Sequence, residues 1–218
     1  MSDWWEPDSV IASQGLRSGA VTPIEAAALG GYPVILADPP WSYSDRGCIG
    51  AVAEQYATLS LEQICSMPVA QLASRDCVLF LWATYPKIQD ALAVINAWGF
   101  TYKSIAFQWL KLYSGGEPFF GLGRWTRGNT EPVLLATRGK PSRVGRDVSQ
   151  LVGIDAFMDE ELVAACVGSH SAKPPQVRTK IERLMGECSR LELFARERVD
   201  GWDAWGNQIE SDIKMVVE

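Results

Sequence analysis

The stretch Asp38-Pro39-Pro40-Trp41 sets a carboxylate, two prolines and an indole at the end of an apolar run, Ile35-Leu36-Ala37. Proline fixes its own φ and keeps the residue before it extended. Two in succession hold the Asp38 carboxylate and the Pro39 carbonyl in a nearly constant relation, and they remove two N–H donors. What remains is a corner of acceptors beside a flat aromatic wall. Such a corner suits a planar ring with an exocyclic amine: two acceptors take its two N–H bonds while the indole stacks on the ring. The amine of adenine is a poor nucleophile because its lone pair is delocalised into the ring. Accepting both N–H bonds favours a pyramidal nitrogen, open to a methyl donor held in line, and the carboxylate stabilises the charge that develops there. A base inside a duplex is out of reach of such a corner, so it must be flipped out or supplied single-stranded. A strand ending in a proline turn that buries a tryptophan is the plainer reading of the same four residues.

The flanking segments must supply the frame. Thr22-Pro23-Ile24-Glu25 and Ser60-Leu61-Glu62-Gln63 have the form of capping boxes and predict helices, the first ended by Gly30-Gly31 and the second running to about Met67. Ile88, Leu92 and Ile95 are at helical spacing between Lys87 and Trp98, with Gly99 at the cap position. Pro174-Pro175 opens a further helix, to about Met185 and Gly186. Strands are predicted at Val34–Ala37, Cys77–Trp82, Tyr102–Leu110, Pro132–Thr137 and Arg190–Ala195, and Glu161–Val167 fits strand or helix. Strands that alternate with helices imply an α/β fold with a largely parallel sheet. Ligands of such folds bind outside the carboxyl ends of the strands, where Asp38 falls. Tyr113–Gly128, rich in glycine and aromatic residues, reads as a long functional loop, and Gly139–Met158 as a second irregular excursion.

Composition narrows the chemistry. The chain has 218 residues, 47% of them hydrophobic and 21% charged, which fits one domain of ordinary to large size. No apolar run approaches the roughly 18 residues of a membrane span. Acids near the N-terminus, in MSDWWEPDSV, argue against a secretory signal and place the protein inside a cell. The five cysteines form no C-x-x-C pair and read as reduced thiols, and His170 is the sole histidine, so zinc, disulfide and Ser-His-Asp chemistries have little to build on. No metal is expected. The net charge of −6 runs against nucleic-acid binding, yet Arg124, Arg127, Arg138, Lys140, Arg143 and Arg146 face one acid, Glu131, in that interval. A local basic face and a solvated loop both fit this run.

With an apolar strand before it, Asp-Pro-Pro-Trp resembles the amino-methyltransferase signature of the MT-A70-like family. Further blocks follow in family order: EQYATLSLEQI (54–64), CVLFLWAT (77–84), AWGFTYKSIAFQWLK (97–111), RWTRGNTEPVLLATRGKP (124–141), SHSAKPPQVRTKIERL (169–184) and LELFAR…GWDAWGNQIE (191–210). The resemblance covers about Tyr32 to Glu210 and is closest to the compact bacterial and phage members. It implies a Rossmann-like methyltransferase fold with the catalytic motif ahead of the cofactor-binding C-terminal part. It divides the chain into an N-terminal helical extension (1–31), the methyltransferase domain (32–210) and a tail (211–218). It also implies S-adenosylmethionine as cofactor and methyl transfer to the N6 amine of adenine, on DNA by analogy with short members, or on RNA.

By this resemblance the catalytic residues are Asp38, Pro39, Pro40 and Trp41. Lys173, Glu192, Arg196, Asn207 and Gln208 hold the cofactor. Tyr43, Tyr56, Trp109, Lys111, Arg124, Arg127, Asn129 and Glu131 line the acceptor side. As plain sequence, Glu192 inside an apolar strand is a carboxylate that needs partners, while Trp109 fits a core position equally well. Arg198 and Val199 stand where the RNA-modifying members carry a histidine and an asparagine, so part of the ribose contact is in question. A non-catalytic subunit that pairs with an active one is the competing reading, and the intact corner argues against it. Corners that begin with Asn or Ser serve other amines; Asp38 and Trp41 favour adenine. A homodimer or partner subunit, and a cytoplasmic location in a bacterium or phage-infected cell, complete the expectation.

Overall fold

A computed structural model describes residues 15–43, 58–113, 116–121, 125–152 and 173–215. In chain order these form β1 (Gly15–Val21), α1 (Pro23–Ala28), β2 (Tyr32–Ala37), α2 (Leu61–Ser66), α3 (Val69–Leu72), β3 (Ala73–Trp82), α4 (Ile88–Ala97), β4 (Thr101–Leu110), β5 (Thr130–Arg138), β6 (Leu151–Val152), α5 (Gln176–Met185), β7 (Arg190–Leu193), β8 (Asp203–Trp205) and β9 (Glu210–Ile213). Seven strands make the main sheet in the order β6-β4-β5-β3-β2-β7-β8. β5 runs antiparallel to both its neighbours, β3 and β4, and the other pairings are parallel. This is the expected α/β architecture, Rossmann-like and mostly parallel.

Local signals explain the elements. Thr22 and Ser60 each close a reciprocal capping box, with Glu25 and Gln63 respectively. Gly99 (φ 80) follows α4 and Gly186 (φ 72) follows α5, each in the left-handed region that stops a helix cheaply only for glycine. β2 is buried on both faces, as a central parallel strand must be. Ile35 and Ala37 pack with Ile64, Val94, Ile95 and Trp98 on one face. Val34 and Leu36 pack with Val177 and Ile181 of α5 on the other. Each fully buried aliphatic side chain contributes roughly 1.5–3 kcal/mol. The strand that delivers Asp38 is therefore among the most firmly held parts of the molecule.

The segment read as a helical extension contains α1 but also a strand, β1, which pairs in parallel with β9 to make a second, two-stranded sheet. β9 begins at Glu210, so it runs across the expected boundary with the tail. β1, with sequence GLRSGAV, is mostly exposed and lacks the apolar run by which the core strands were recognised. Glu161–Val167 lies outside the described residues.

Gly31 joins α1 to β2 at φ 69, where an added Cβ would lie 2.7 Å from the Ser74 nitrogen and 2.8 Å from the Ala73 carbonyl carbon. Neighbouring Gly30 (φ 99) has nothing within 4 Å of that position. Gly30→Ala should cost only backbone strain, about 1 kcal/mol, and Gly31→Ala should cost about 2 kcal/mol or more. At roughly 2–4 °C per kcal/mol for a chain of this size, thermal melts should show the larger drop for Gly31→Ala. Equal drops would mean that the backbone at Ala73 yields freely.

Candidate active site

The parallel strands bring their carboxyl ends to one edge of the sheet. Asp38 follows β2 there, and its N–H donates to the Leu193 carbonyl at the end of β7 (3.4 Å). Trp82 ends β3, Lys111 follows β4, and Glu131 enters near the start of the antiparallel β5, so it arrives at the same edge. Lys173 reaches this edge from the segment before α5.

These side chains form one chain of charges. Lys173 Nζ donates to Asp38 Oδ2 at 2.8 Å and lies 3.2 Å from Glu131 Oε1. Lys111 Nζ is 2.6 Å from Glu131 Oε2. Two indoles floor the cluster: Lys173 lies over Trp82 at 5.2 Å and Lys111 over Trp109 at 5.0 Å, and the two rings meet edge to face at 6.1 Å. Burial alone would push the Glu131 carboxyl up; the ammonium groups of Lys173 and Lys111 outweigh it and hold the carboxyl below its ordinary range. Burial opposes the charge on Lys173, yet Asp38 and Glu131 together raise its pKa above the usual lysine value.

The proline corner is stapled in place. The Trp41 N–H donates to the Pro39 carbonyl (2.9 Å), and the Leu59 N–H donates to the Pro40 carbonyl (3.0 Å). Trp41 Nε1 donates to the Trp82 carbonyl at 3.2 Å. Two expectations change in detail. The Pro39 oxygen already accepts one bond, so its second lone pair is what it can offer an amine. The Trp41 ring is 6% exposed and built into the core, so at most an edge faces a ligand. Tyr43 shares a hydrogen bond with Thr84, and burial raises the pKa of its phenol. Trp109 is buried at 1% exposure and touches the site through Lys111. Asn129 supplies its backbone carbonyl to the Lys111 N–H (2.8 Å). Tyr56 and Arg124 lie outside the described residues.

On the β7 side stands a second group of polar residues. Glu192 receives a two-pronged bond from Arg178 of α5, Nε to Oε2 at 2.8 Å and an NH2 to Oε1 at 3.1 Å. Burial dominates and raises the Glu192 carboxyl, with Arg178 pulling the other way. Phe194 holds a positive φ of 65 just past the strand end. Gly206 lies so near it that an added Cβ would be 2.0 Å from the Ala195 carbonyl oxygen. That approach joins the ends of β7 and β8, and it brings the half-buried Asn207 and Gln208 to the segment that carries Arg196. Arg178 had gone unnoticed in the sequence. Its signal was the need of a buried Glu192 for a cation, but helix and strand meet only through the fold.

The model of the MT-A70 family matches residues 32–208. The chain belongs to the MT-A70 family. It is 33% identical over 198 residues to the type II methyltransferase M.MunI of a Mycoplasma species, an alignment that covers 82% of this chain and 78% of that protein. It is 29% identical over 187 residues to the mouse N(6)-adenine-specific methyltransferase METTL4 and 26% over 195 residues to the human N(6)-adenosine-methyltransferase catalytic subunit METTL3. The alignments take in 82% and 86% of this chain but only 37% and 30% of those two longer proteins.

MT-A70 methyltransferases take their methyl group from S-adenosylmethionine, and the chemistry of the polar residues near the carboxyl edge fits that molecule. A carboxylate suits ribose hydroxyls, two amides suit a nucleoside edge, and an ammonium suits an amino-acid carboxylate. Glu192, Asn207, Gln208 and Lys173 are side chains of these kinds, with the Arg196 guanidinium on the same segment as Glu192, and the missing side chain at Gly206 permits the close approach to Ala195. Arg198 is engaged elsewhere: it donates to Asp212 (2.9 Å) and to the Glu210 carbonyl (2.9 Å), and so it ties the β7–β8 connection to β9. Among the described residues no group of acidic, histidine or cysteine side chains could hold a metal ion.

The run of basic residues is not one face. Arg127 stands at the catalytic edge, ahead of β5, and Arg138 ends β5 at the opposite edge, opposite Cys77. Nine residues of β5 separate the two edges by about 26 Å at 3.3 Å per step. Arg138 is spent on the Ala70 carbonyl.

Glu131→Gln removes the one carboxylate that both lysines share. It should destabilise the fold by up to about 3 kcal/mol, because two ammonium groups lose a buried partner. The lowered Glu131 pKa makes its contribution present above the ordinary 4.5 and lost as pH falls through the folded value; the raised Lys173 pKa keeps its own contribution whole below 10.5. Denaturant melts of wild type and variant should therefore differ by a constant amount through neutral pH and converge in acid. A gap unchanged down to pH 2 would exclude ion pairing as its source.

Proposed function

We propose that this chain transfers a methyl group from S-adenosylmethionine to the N6 amine of adenine in DNA. The observation that carries the reading is the Asp38 carboxylate, fixed by two prolines at the carboxyl edge and engaged by Lys173 through Oδ2. Oδ1 is the atom assigned to one amine N–H, and the Pro39 carbonyl takes the other. With both N–H bonds accepted, the amine nitrogen turns pyramidal, and its lone pair is withdrawn from the ring π system and becomes nucleophilic. When bound, the cofactor would supply the methyl as an electrophilic carbon on a sulfonium, whose C–S bond breaks as the N–C bond forms and which leaves as a neutral thioether. Asp38 then faces the nitrogen as it gains positive charge and is placed to accept the N–H proton that it must release, within a site that is largely shielded from water, where a fixed carboxylate acts most strongly. Lys173 keeps Asp38 aimed, and Glu131 keeps Lys173 aimed. Glu192, Arg196, Asn207 and Gln208 would hold the nucleoside end of the cofactor.

DNA is supported by the relative whose own length this chain covers best among those compared, the type II methyltransferase at 78%. A relative named for RNA, from Pyricularia oryzae, is covered over 47% of its length. Such an enzyme belongs in the cytoplasm of a bacterial or phage-infected cell. No described helix is long and apolar enough to cross a membrane. An inert subunit of the same fold would not need a complete acceptor corner.

The test is transfer of labelled methyl to matched DNA and RNA, single- and double-stranded, followed by digestion to nucleosides and mass spectrometry. N6-methyladenine should appear, chiefly in DNA. Asp38→Ala should abolish transfer while cofactor binding persists. Activity of that variant within tenfold of wild type would overturn the mechanism, and cofactor binding by wild type without transfer to any substrate would favour the inert subunit.

A further inference from the structure

The connection from β4 to β5 is a hairpin rooted in the charged cluster. Its arms bond Lys111 N–H to the Asn129 carbonyl (2.8 Å), Phe119 N–H to the Lys111 carbonyl (2.8 Å) and Gly121 N–H to the Gly128 carbonyl (3.0 Å). An added Cβ at Gly121 would lie 2.3 Å from the Gly128 oxygen, so the arms are pressed together as far as that pair. The segment they close carries Trp125, which is 96% exposed. Phe120, beside Gly121, is 69% exposed, and Arg127 is exposed two residues after the tryptophan. An indole fully in water gives up one of the largest burial energies of any side chain, so it marks a surface awaiting a partner.

The position says which partner. Asn129, four residues from Trp125, bonds to Lys111, whose ammonium is part of the chain that reaches Asp38. Four extended residues span at most about 14 Å. A flat ring two residues from an arginine, within that reach of the Asn129 end of the charged chain that leads to Asp38, matches the chemistry of stacked bases and phosphates. An adenine in a duplex can enter the corner only by leaving its stack, and the gap left behind has the thickness of one planar ring. Planar and apolar side chains that enter such gaps hold the duplex open.

We propose that Trp125 inserts into the duplex stack and stabilises the state in which the target adenine has left it, with Arg127 on the adjoining phosphates. The proposal rests on the reading that adenine in DNA is the acceptor, and it adds that the acceptor is drawn from a duplex.

The test compares wild type, Trp125→Ala and Trp125→Phe on three DNAs: a matched duplex, the same duplex with the target adenine facing an abasic position, and the single strand. Trp125→Ala should lower kcat/KM on the matched duplex about 10- to 100-fold, the range of one lost base-stacking contact. It should change the other two less than threefold, and Trp125→Phe should recover most of the loss. In parallel, 2-aminopurine at the target position should brighten when wild type binds the duplex and stay dim with Trp125→Ala. Equal loss on all three DNAs, no loss on the duplex, or wild type that ignores duplexes would each overturn the insertion. Conversion of a wild-type dimer to monomer by Trp125→Ala, with the duplex preference intact, would reassign the patch to a second copy of the chain. Absence of methyl transfer to any DNA would sink the underlying reading instead, and the 2-aminopurine signal would still decide the insertion.

Discussion

A single ammonium, that of Lys173, sits between two carboxylates that come from strands running in opposite directions. Asp38 follows β2, and Glu131 belongs to β5. Without the cation, two negative groups would face each other across the carboxyl edge of the sheet, one of them nearly out of reach of water. The arrangement holds only because Glu131 is also bound by Lys111 and because two indoles lie under the ammonium groups. A chain of alternating charge satisfies each member in turn, whereas any one of them buried alone would be costly. The proline corner and the root of the β4–β5 hairpin both border on this chain.

Much of the frame could be read from local signals. Both capping boxes form where Thr22 and Ser60 announced them, and the glycine stops after α4 and α5 fall where expected. The buried strands showed themselves as continuous apolar runs. β1 did not, because an exposed strand in a two-stranded sheet needs no such run. The antiparallel course of β5 was equally silent, since direction depends on where the preceding connection leaves the chain. That direction decides which residue at the ends of β5 meets the catalytic edge, and so it divides the basic run, with Arg127 on one side of the sheet and Arg138 on the other.

The site was legible as residue types and less so as contacts. Asp38, Lys173 and Glu131 were each singled out, but nothing in their spacing, 93 residues from Asp38 to Glu131 and 42 more to Lys173, says that they touch. Glu192 announced its need for a partner, and Arg178 answers it from another element. Trp41 and Trp109 carried the opposite ambiguity. An indole in an apolar context suits a wall of a binding site and a core alike, and both rings are buried.

Helix α5 has a position with thermodynamic weight. Lys173, just ahead of it, holds the acceptor carboxylate Asp38, and Arg178, in its first turn, holds Glu192 on the cofactor side. Lys173 and Arg178, five positions apart, thus clamp the two carboxylates that the proposed function assigns to acceptor and cofactor. A ligand that pulls either clamp changes the free energy of the other, and by linkage the effect is the same whichever ligand arrives first. On the proposed function, cofactor and acceptor would be coupled through the start of α5, with no moving domain required.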